Sequence, residues 1–305
     1  MLKSYSHKSY ISNMNNTDSS VEDFISLLKP RVMALAIFTS VCGLILAQKD
    51  IHPFFFLLSI LCISLGAGAS GAINMWYDRD IDALMDRTKG RPIPKGKVNG
   101  FDALGFGIIL SLVAVILLGL AVNYFAAFLL ACSISFYIFI YTIWLKRRTP
   151  HNIVIGGAAG AFPPMIGWAC ASGSLTLYPV ILFTIIFVWT PPHFWALSLY
   201  KDIEYSKAKV PMLPVISGRD YTIKQILIYS ILLFFITLLP YFFKFSGQIY
   251  LVSAILLNGY FLHLAYGLFK CNENDYIIFA SKLFKYSILY LYLIFLILVI
   301  DSFLI

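Results

Sequence analysis

The chain has 305 residues, of which 60% are hydrophobic and 12% charged, about half the charged fraction of a soluble domain. A mean hydropathy of +0.82 excludes a soluble globular class, and the net charge of +8 lies in loops between apolar runs, so it reflects topology and points to no nucleic acid partner. The five cysteines are scattered without a CxxC pair, which indicates neither a disulfide frame nor a zinc site.

In chain order, a polar, Ser-rich arm covers residues 1–27 and a single domain is expected over 28–305. The arm shows no apolar secretory segment; it shares its scarcity of acids with mitochondrial transit peptides but has no arginine before Arg31. Nine apolar runs follow, at 32–48, 53–77, 102–121, 123–143, 152–170, 177–199, 224–243, 248–269 and 284–304. Each is roughly the 17–25 residues that a helix needs to cross a bilayer core. The third and fourth are joined almost without a gap, around Asn123. The pattern is that of an all-α, polytopic membrane protein with nine transmembrane helices; a β-barrel would show short alternating segments.

Of the 23 Lys and Arg, 21 lie in the arm or in the loops after even-numbered runs, and only Lys49 and Lys244 fall on the other side. The positive-inside rule places the N-terminus and those loops in the cytoplasm or its equivalent. Two of the inner loops are long, 78–101 and 200–223, and long loops on a compact protein are often functional. A weak internal echo relates LKPRV (Leu28 to Val32) to RTPHNIV (Arg148 to Val154), each followed about 50 residues later by acids at a helix end, as in membrane proteins that build a site on repeated units.

The first long loop opens with NMWYDRDIDALMDRTKGRPIP, Asn74 to Pro94. Asn74, Asp78, Asp82 and Asp86 recur every four residues, so a helix continuing past the bilayer edge would carry all four on one stripe about 120° wide. Like charges at that spacing destabilise a helix by about 0.2–0.5 kcal/mol per pair. Arg79 can offset part of this by pairing with Asp82, but the stripe calls for an external cation. Oxygen ligands select a hard ion such as Mg²⁺, which binds through one or two carboxylates together with substrate phosphates. Bases suited to phosphate follow: Arg87, Lys89, Arg91, Lys95 and Lys97 in this loop, Lys146, Arg147 and Arg148 in the next inner loop, and Lys201, Lys207 and Lys209 in the one after. Acids with a metal, ringed by bases, describe a diphosphate site at the membrane surface. His193, inside an apolar run after Pro191-Pro192, is either a hydrogen-bonded structural histidine or a ligand for haem.

The stretch NMWYDRDIDALMDRT resembles the first aspartate-rich motif, NxxxDxxxD, of the intramembrane aromatic prenyltransferase superfamily. LKPRVM (Leu28 to Met33), RTPHNIVIGGAAGAFPPMIGWA (Arg148 to Ala169) and WTPPHFWALSLYKDIEYSKAKVPMLPV (Trp189 to Val215) resemble one branch, the protohaem IX farnesyltransferases or haem O synthases. The resemblance covers about residues 25–300. It implies nine helices around a central cavity and Mg²⁺-dependent transfer of a farnesyl group from farnesyl diphosphate to a vinyl group of haem B, giving haem O, with possible handover to a haem A synthase. By position, Asn74, Asp78, Asp82 and Glu204 would do the catalytic work, with Asp78, Asp82, Asp86 and Asp202 toward metal. Arg87, Lys89, Arg91, Arg147, Arg148, Lys201, His193 and Tyr205 would bind substrates. The second acidic region departs from the family pattern, because Ile203 separates Asp202 from Glu204. A bacterial inner membrane is the expected location, with the mitochondrial inner membrane as the alternative. Two other readings stay open on the residues alone: a quinone or chlorophyllide acceptor, and a cation-coupled transporter.

Overall fold

A computed structural model describes residues 19–273 and 275–304; most of the polar arm, including the stretch compared with a transit peptide, lies outside them. Among the described residues all regular structure is helical. The long helices are α3 (Pro53–Tyr77), α5 (Gly100–Ala121), α6 (Tyr124–Ser135, continuing as a π-helical segment to Leu145), α7 (Asn152–Ser172), α8 (Leu177–Tyr200), α11 (Arg219–Phe242), α12 (Gln248–Lys270) and α13 (Tyr276–Ser302). These eight spans are long and apolar enough to cross a membrane. A ninth is made by α1 (Val21–Leu27) and α2 (Pro30–Leu46) if this pair, bent by 56°, counts as one. Short helices α4 (Arg79–Leu84), α9 (Asp202–Lys207) and α10 (Leu213–Ser217) sit in the two long loops 78–101 and 200–223.

Local chemistry sets the ends. His52 accepts from the Phe54 amide ahead of Pro53, which tolerates the first helical position because its missing N–H has no partner there. The join of the third and fourth runs is broken by Asn123, whose side chain accepts from the Ala126 amide at 2.7 Å and donates to Ala169 O at 2.9 Å. Asn123 thus caps α6 while pinning it to α7.

The helices close on themselves. α3 packs against α5 and the π segment, α7 against α2, α6 and α8, and α8 against α11 and α13; α13 then returns to α2. The crossing of α2 and α7 depends on glycine. A Cβ at Gly43 would stand 2.1 Å from Pro164 O, and one at Gly167 2.0 Å from Ser40 O. In lipid such close approach is what lets dispersion hold helices together.

The boundary expected at residue 28 moves earlier. α1 has a capping box in which Ser20 and Asp23 satisfy each other's backbone amides. Leu27 is fully buried, Phe24 meets Phe106 edge-on at 5.1 Å, and Asp23 pairs with Lys97 at 3.2 Å. Residues 21–27 therefore fold into the domain as a strap across α3 and α5. At the same end of the bundle, Ile81 and Met85 of the first long loop share a buried cluster with Ile153 and with Tyr205, Ala208, Val210 and Met212 of the second. Burial of these side chains draws the two loops together over one end of the bundle.

Candidate active site at the inner helix ends

The carboxylate stripe is shorter than the four-residue spacing predicts. Asp78 sits at the junction between α3 and α4 (φ −90°, ψ 9°) and makes no side-chain capping bond there, yet the Asp78 amide still bonds Asn74 O at 2.9 Å and the Asp82 amide bonds Asp78 O at 2.8 Å. That ladder keeps Asn74, Asp78 and Asp82 on one line, and all three are buried. After Leu84 the backbone turns extended at Met85 (φ −103°, ψ 129°), so Asp86 leaves the line. It is exposed and pairs with Lys89 at 2.5 Å, which holds its carboxyl below the usual range.

The chain itself supplies the cations. Lys146 pairs with Asp78 Oδ2, and Arg147 Nη2 lies 3.4 Å from Asp78 Oδ1. Arg91 Nη1 reaches Asp82 Oδ2 at 2.5 Å, and Thr88 donates to Asp82 O at 3.0 Å. The Asn74 amide donates to Asp78 Oδ2 at 2.8 Å and to Thr142 Oγ1 at 3.1 Å, while its carbonyl accepts from Lys29 Nζ at 2.8 Å. Arg147 also forms a bidentate pair with Asp80 at 2.7 and 2.8 Å, which lowers the Asp80 pKa and raises that of Arg147. The expected pairing of Arg79 with Asp82 does not form; Arg79 donates to Trp76 O and lies over the Trp76 ring. Nor does the line need a foreign cation to exist, because breaking a buried charge pair costs about 3–5 kcal/mol and these pairs are already made internally.

Lys29 and Thr142 were not singled out by sequence reasoning. Lys29 lies in the LKPRVM stretch, but its place depends on a left-handed backbone (φ 53°, ψ 53°) at the break between α1 and α2, a conformation that costs a lysine about 1–3 kcal/mol. Pro30 disfavours the right-handed helical region for the residue before it, and Gly68 lets Leu28 of the same turn approach α3, where a Cβ would stand 3.0 Å from the Leu28 side chain. Thr142 enters through the π segment Phe136–Leu145, where its hydroxyl donates to Tyr137 O at 2.8 Å. Such i→i+5 windings favour functional sites but leave no mark in hydrophobic periodicity.

The second loop contributes differently. Glu204 accepts from Lys201 at 2.7 Å and from the Arg87 amide at 3.4 Å, which ties the two loops together; Lys201 pulls its pKa down. Asp202 is engaged by the Ile203 amide in its own turn at 2.7 Å. Tyr205 is buried under α4, and Arg148 is exposed. A set of Asp78, Asp82, Asp86 and Asp202 as joint metal ligands is not assembled: among the described residues no three His, Cys, Asp or Glu side chains converge. The buried pair Asp78 and Asp82 does fit Mg²⁺ of the kind that takes one or two carboxylates and completes its shell with water and substrate phosphate. His193 is not among the carboxylates and bases; its neighbours are Trp189, Phe194, Phe284 and Ser287.

Three carboxylates, of Asp78, Asp80 and Asp82, thus face four bases from three places in the chain, Lys29, Arg91, Lys146 and Arg147. The excess positive charge, partly buried, suits a polyanion. Residues 36–298 match the model of the UbiA prenyltransferase family. The chain belongs to the UbiA prenyltransferase family. Among its relatives, a protein of Parvibaculum lavamentivorans named protoheme IX farnesyltransferase is 55% identical over 284 residues, 93% of this chain and 89% of that protein. A protein of the same name from Rickettsia bellii is 53% identical over 92% of this chain and 93% of its own length. A structure from work on digeranylgeranylglyceryl phosphate synthase superposes with a TM-score of 0.77 at 20% identity, covering 93% of this chain and 99% of that one. A UbiA homologue from Archaeoglobus fulgidus bound to DMAPP and Mg²⁺ gives 0.63 at 16% identity, covering 90% and 99%. At these identities the structures speak for the UbiA fold, and the multi-pass helical architecture agrees with it.

Proposed function

We propose that the chain transfers a farnesyl group from farnesyl diphosphate to a vinyl group of haem B, giving haem O and diphosphate. The observation that carries this reading is the buried Asp78–Asp82 pair set among Lys29, Arg91, Lys146 and Arg147. The relatives named protoheme IX farnesyltransferase supply the acceptor. Asp78 and Asp82 would hold Mg²⁺, oriented by Asn74; when bound, the ion acts as a Lewis acid worth several kcal/mol to a leaving phosphoryl oxygen. Lys146 and Arg91 exchange their carboxylate partners for diphosphate oxygens as substrate arrives, and Lys29 and Arg147 add donors fixed by their own contacts. Donors set in place before reaction need no reorganisation as negative charge develops on the leaving group. Glu204 and Lys201 keep the second loop against Arg87, closing the site from the inner face. Departure of diphosphate leaves an allylic cation on the farnesyl chain, which the vinyl carbon attacks; water then adds to the resulting cation beside the macrocycle and releases a proton, giving the hydroxyl of haem O. Tyr77 lies under the Arg147 guanidinium at 4.8 Å, so its ring is committed to that cation. The excess of Lys and Arg on the loops of this face supports a reading in which it meets the cytoplasm of a bacterial cell, with the chain in the inner membrane.

The experiment is direct. Purified protein is incubated with Mg²⁺, farnesyl diphosphate and, separately, haem B or a quinone precursor, and products are read by mass spectrometry. Haem O is expected. Prenylation of the quinone precursor alone contradicts the acceptor, and cation flux in proteoliposomes without a prenyl donor would favour a transporter.

A further inference from the structure

Two side chains of α8, one turn apart, grip the same residue of α13. Trp189 Nε1 donates to Ser287 O at 2.9 Å, and His193 Nδ1 lies 2.6 Å from Ser287 Oγ. The ring of His193 is held between Trp189 (4.2 Å between centroids, 18° between planes) and Phe284 (4.7 Å, 25°). The Ser287 hydroxyl donates to Phe284 O at 2.6 Å. Its single proton is thereby used, so toward His193 it offers only a lone pair. Nδ1 must then be the protonated nitrogen, and Nε2 carries the free lone pair. His193 is only 8% exposed; among the described residues its hydrogen bond is made at Nδ1, and Nε2 is not one of the fully buried atoms left unpartnered, so Nε2 opens onto accessible space. An interhelical clamp alone needs no such arrangement: the grip of Trp189 on Ser287 already joins α8 to α13.

A histidine whose Nδ1–H is anchored and whose Nε2 lone pair is free has the form of a metal-binding imidazole, in which the second nitrogen's partner fixes tautomer and ring orientation. The group also lies in line with the candidate site. Phe284 meets Tyr200 at 5.9 Å, and Tyr200 directly precedes Lys201, so an aromatic wall runs from the inner turn to His193, about 10 Å deeper along α8 at 1.5 Å per residue. We propose that Nε2 of His193 ligates the iron of the haem substrate and that Ser287 is the positioning residue which sets the tautomer. This rests on the reading of the chain as a haem prenyltransferase. Phe194, which meets the His193 ring at 5.0 Å, packs against the buried cluster that joins the two loops, so a tether at His193 would hold the haem on the side of the bundle that carries the carboxylates and bases.

The test uses the full-length protein in nanodiscs with haem B, read by resonance Raman of the ferrous complex and by haem O formation. The wild type should show an iron–imidazole band. His193→Gly should lose it and regain it with added imidazole. Ser287→Ala should keep the ligand but shift the band to lower frequency, because Nδ1–H loses its acceptor, and should raise KM for haem about tenfold with KM for farnesyl diphosphate unchanged. Ser287→Thr, which keeps the hydroxyl, should behave as wild type. A wild type that makes haem O without an iron–imidazole band overturns the ligation. An unshifted band in Ser287→Ala overturns the role of Ser287. Absence of haem O, with another acceptor prenylated, overturns instead the reading on which the inference rests.

Discussion

The two acidic regions, Asn74–Asp82 and Asp202–Glu204, sit on loops that share one buried cluster but are built on opposite principles. In the first, each buried carboxylate is met by a base from elsewhere in the chain, Lys146 and Arg147 at Asp78 and Arg91 at Asp82. In the second, Glu204 is met by Lys201 three residues earlier and Asp202 by the next amide. The first arrangement takes the whole fold to make and leaves its groups desolvated, where electrostatic stabilisation is strongest. The second is local and wetter. The proposed chemistry therefore rests on the first, while Glu204 of the second ties the two loops together through the Arg87 amide.

Substitutions can break that contrast. Asp78→Asn should have the largest effect, a loss of about 10²–10³ in turnover, the scale seen when a preorganised electrostatic contact is removed. Asp78→Ala should in addition lower thermal stability by about 3–5 kcal/mol, since Lys146 is left without its partner; a melting curve in detergent checks it. Lys29→Met, which spares both aspartates but removes a preset donor and the partner of the Asn74 carbonyl, should cost about 10–100-fold in kcat/KM for farnesyl diphosphate, the scale of a lost outer-shell contact. Glu204→Gln should cost less, about 10-fold at most on the same scale, and should expose the 201–212 segment to protease. Asp86→Asn should change turnover by less than about twofold, as for an exposed ion pair; an effect as large as that of Asp78 would erase the distinction between stripe and loop.

Acidification gives a further, smaller test. The folded pKa values of Asp80 and Glu204 are both depressed, by Arg147 and Lys201 respectively. Their contributions are thus complete above the unfolded values of 3.8 and 4.5 and fade as pH falls through the lower folded values. Limited proteolysis of the two loops should be flat down to about pH 4.5 and rise below it. A rise already near neutral pH would contradict the assignment of these pairs.

Much of this was readable in the residues. Eight of the nine apolar runs correspond to long helices, and the ninth to the bent pair at Pro30, because lipid demands apolar length and little else. Asn74, Asp78 and Asp82 were legible from spacing. The end of the stripe was not, since no Gly or Pro marks Met85, and neither were the left-handed Lys29 or the π-wound Thr142. Those depend on contacts between residues more than 40 positions apart, for which a one-dimensional period carries no signal. The placement of α1 was hidden for the same reason: seven residues are too few for a periodicity, and its docking depends on Phe106 and Lys97.

The central claim is that Asp78 and Asp82 together drive departure of diphosphate. Its most direct measurement is single-turnover haem O formation by the purified Asp78→Asn/Asp82→Asn double variant at saturating Mg²⁺, farnesyl diphosphate and haem B, with folding checked by circular dichroism. The account predicts a folded protein that forms no detectable haem O. Formation at the wild-type rate would contradict it.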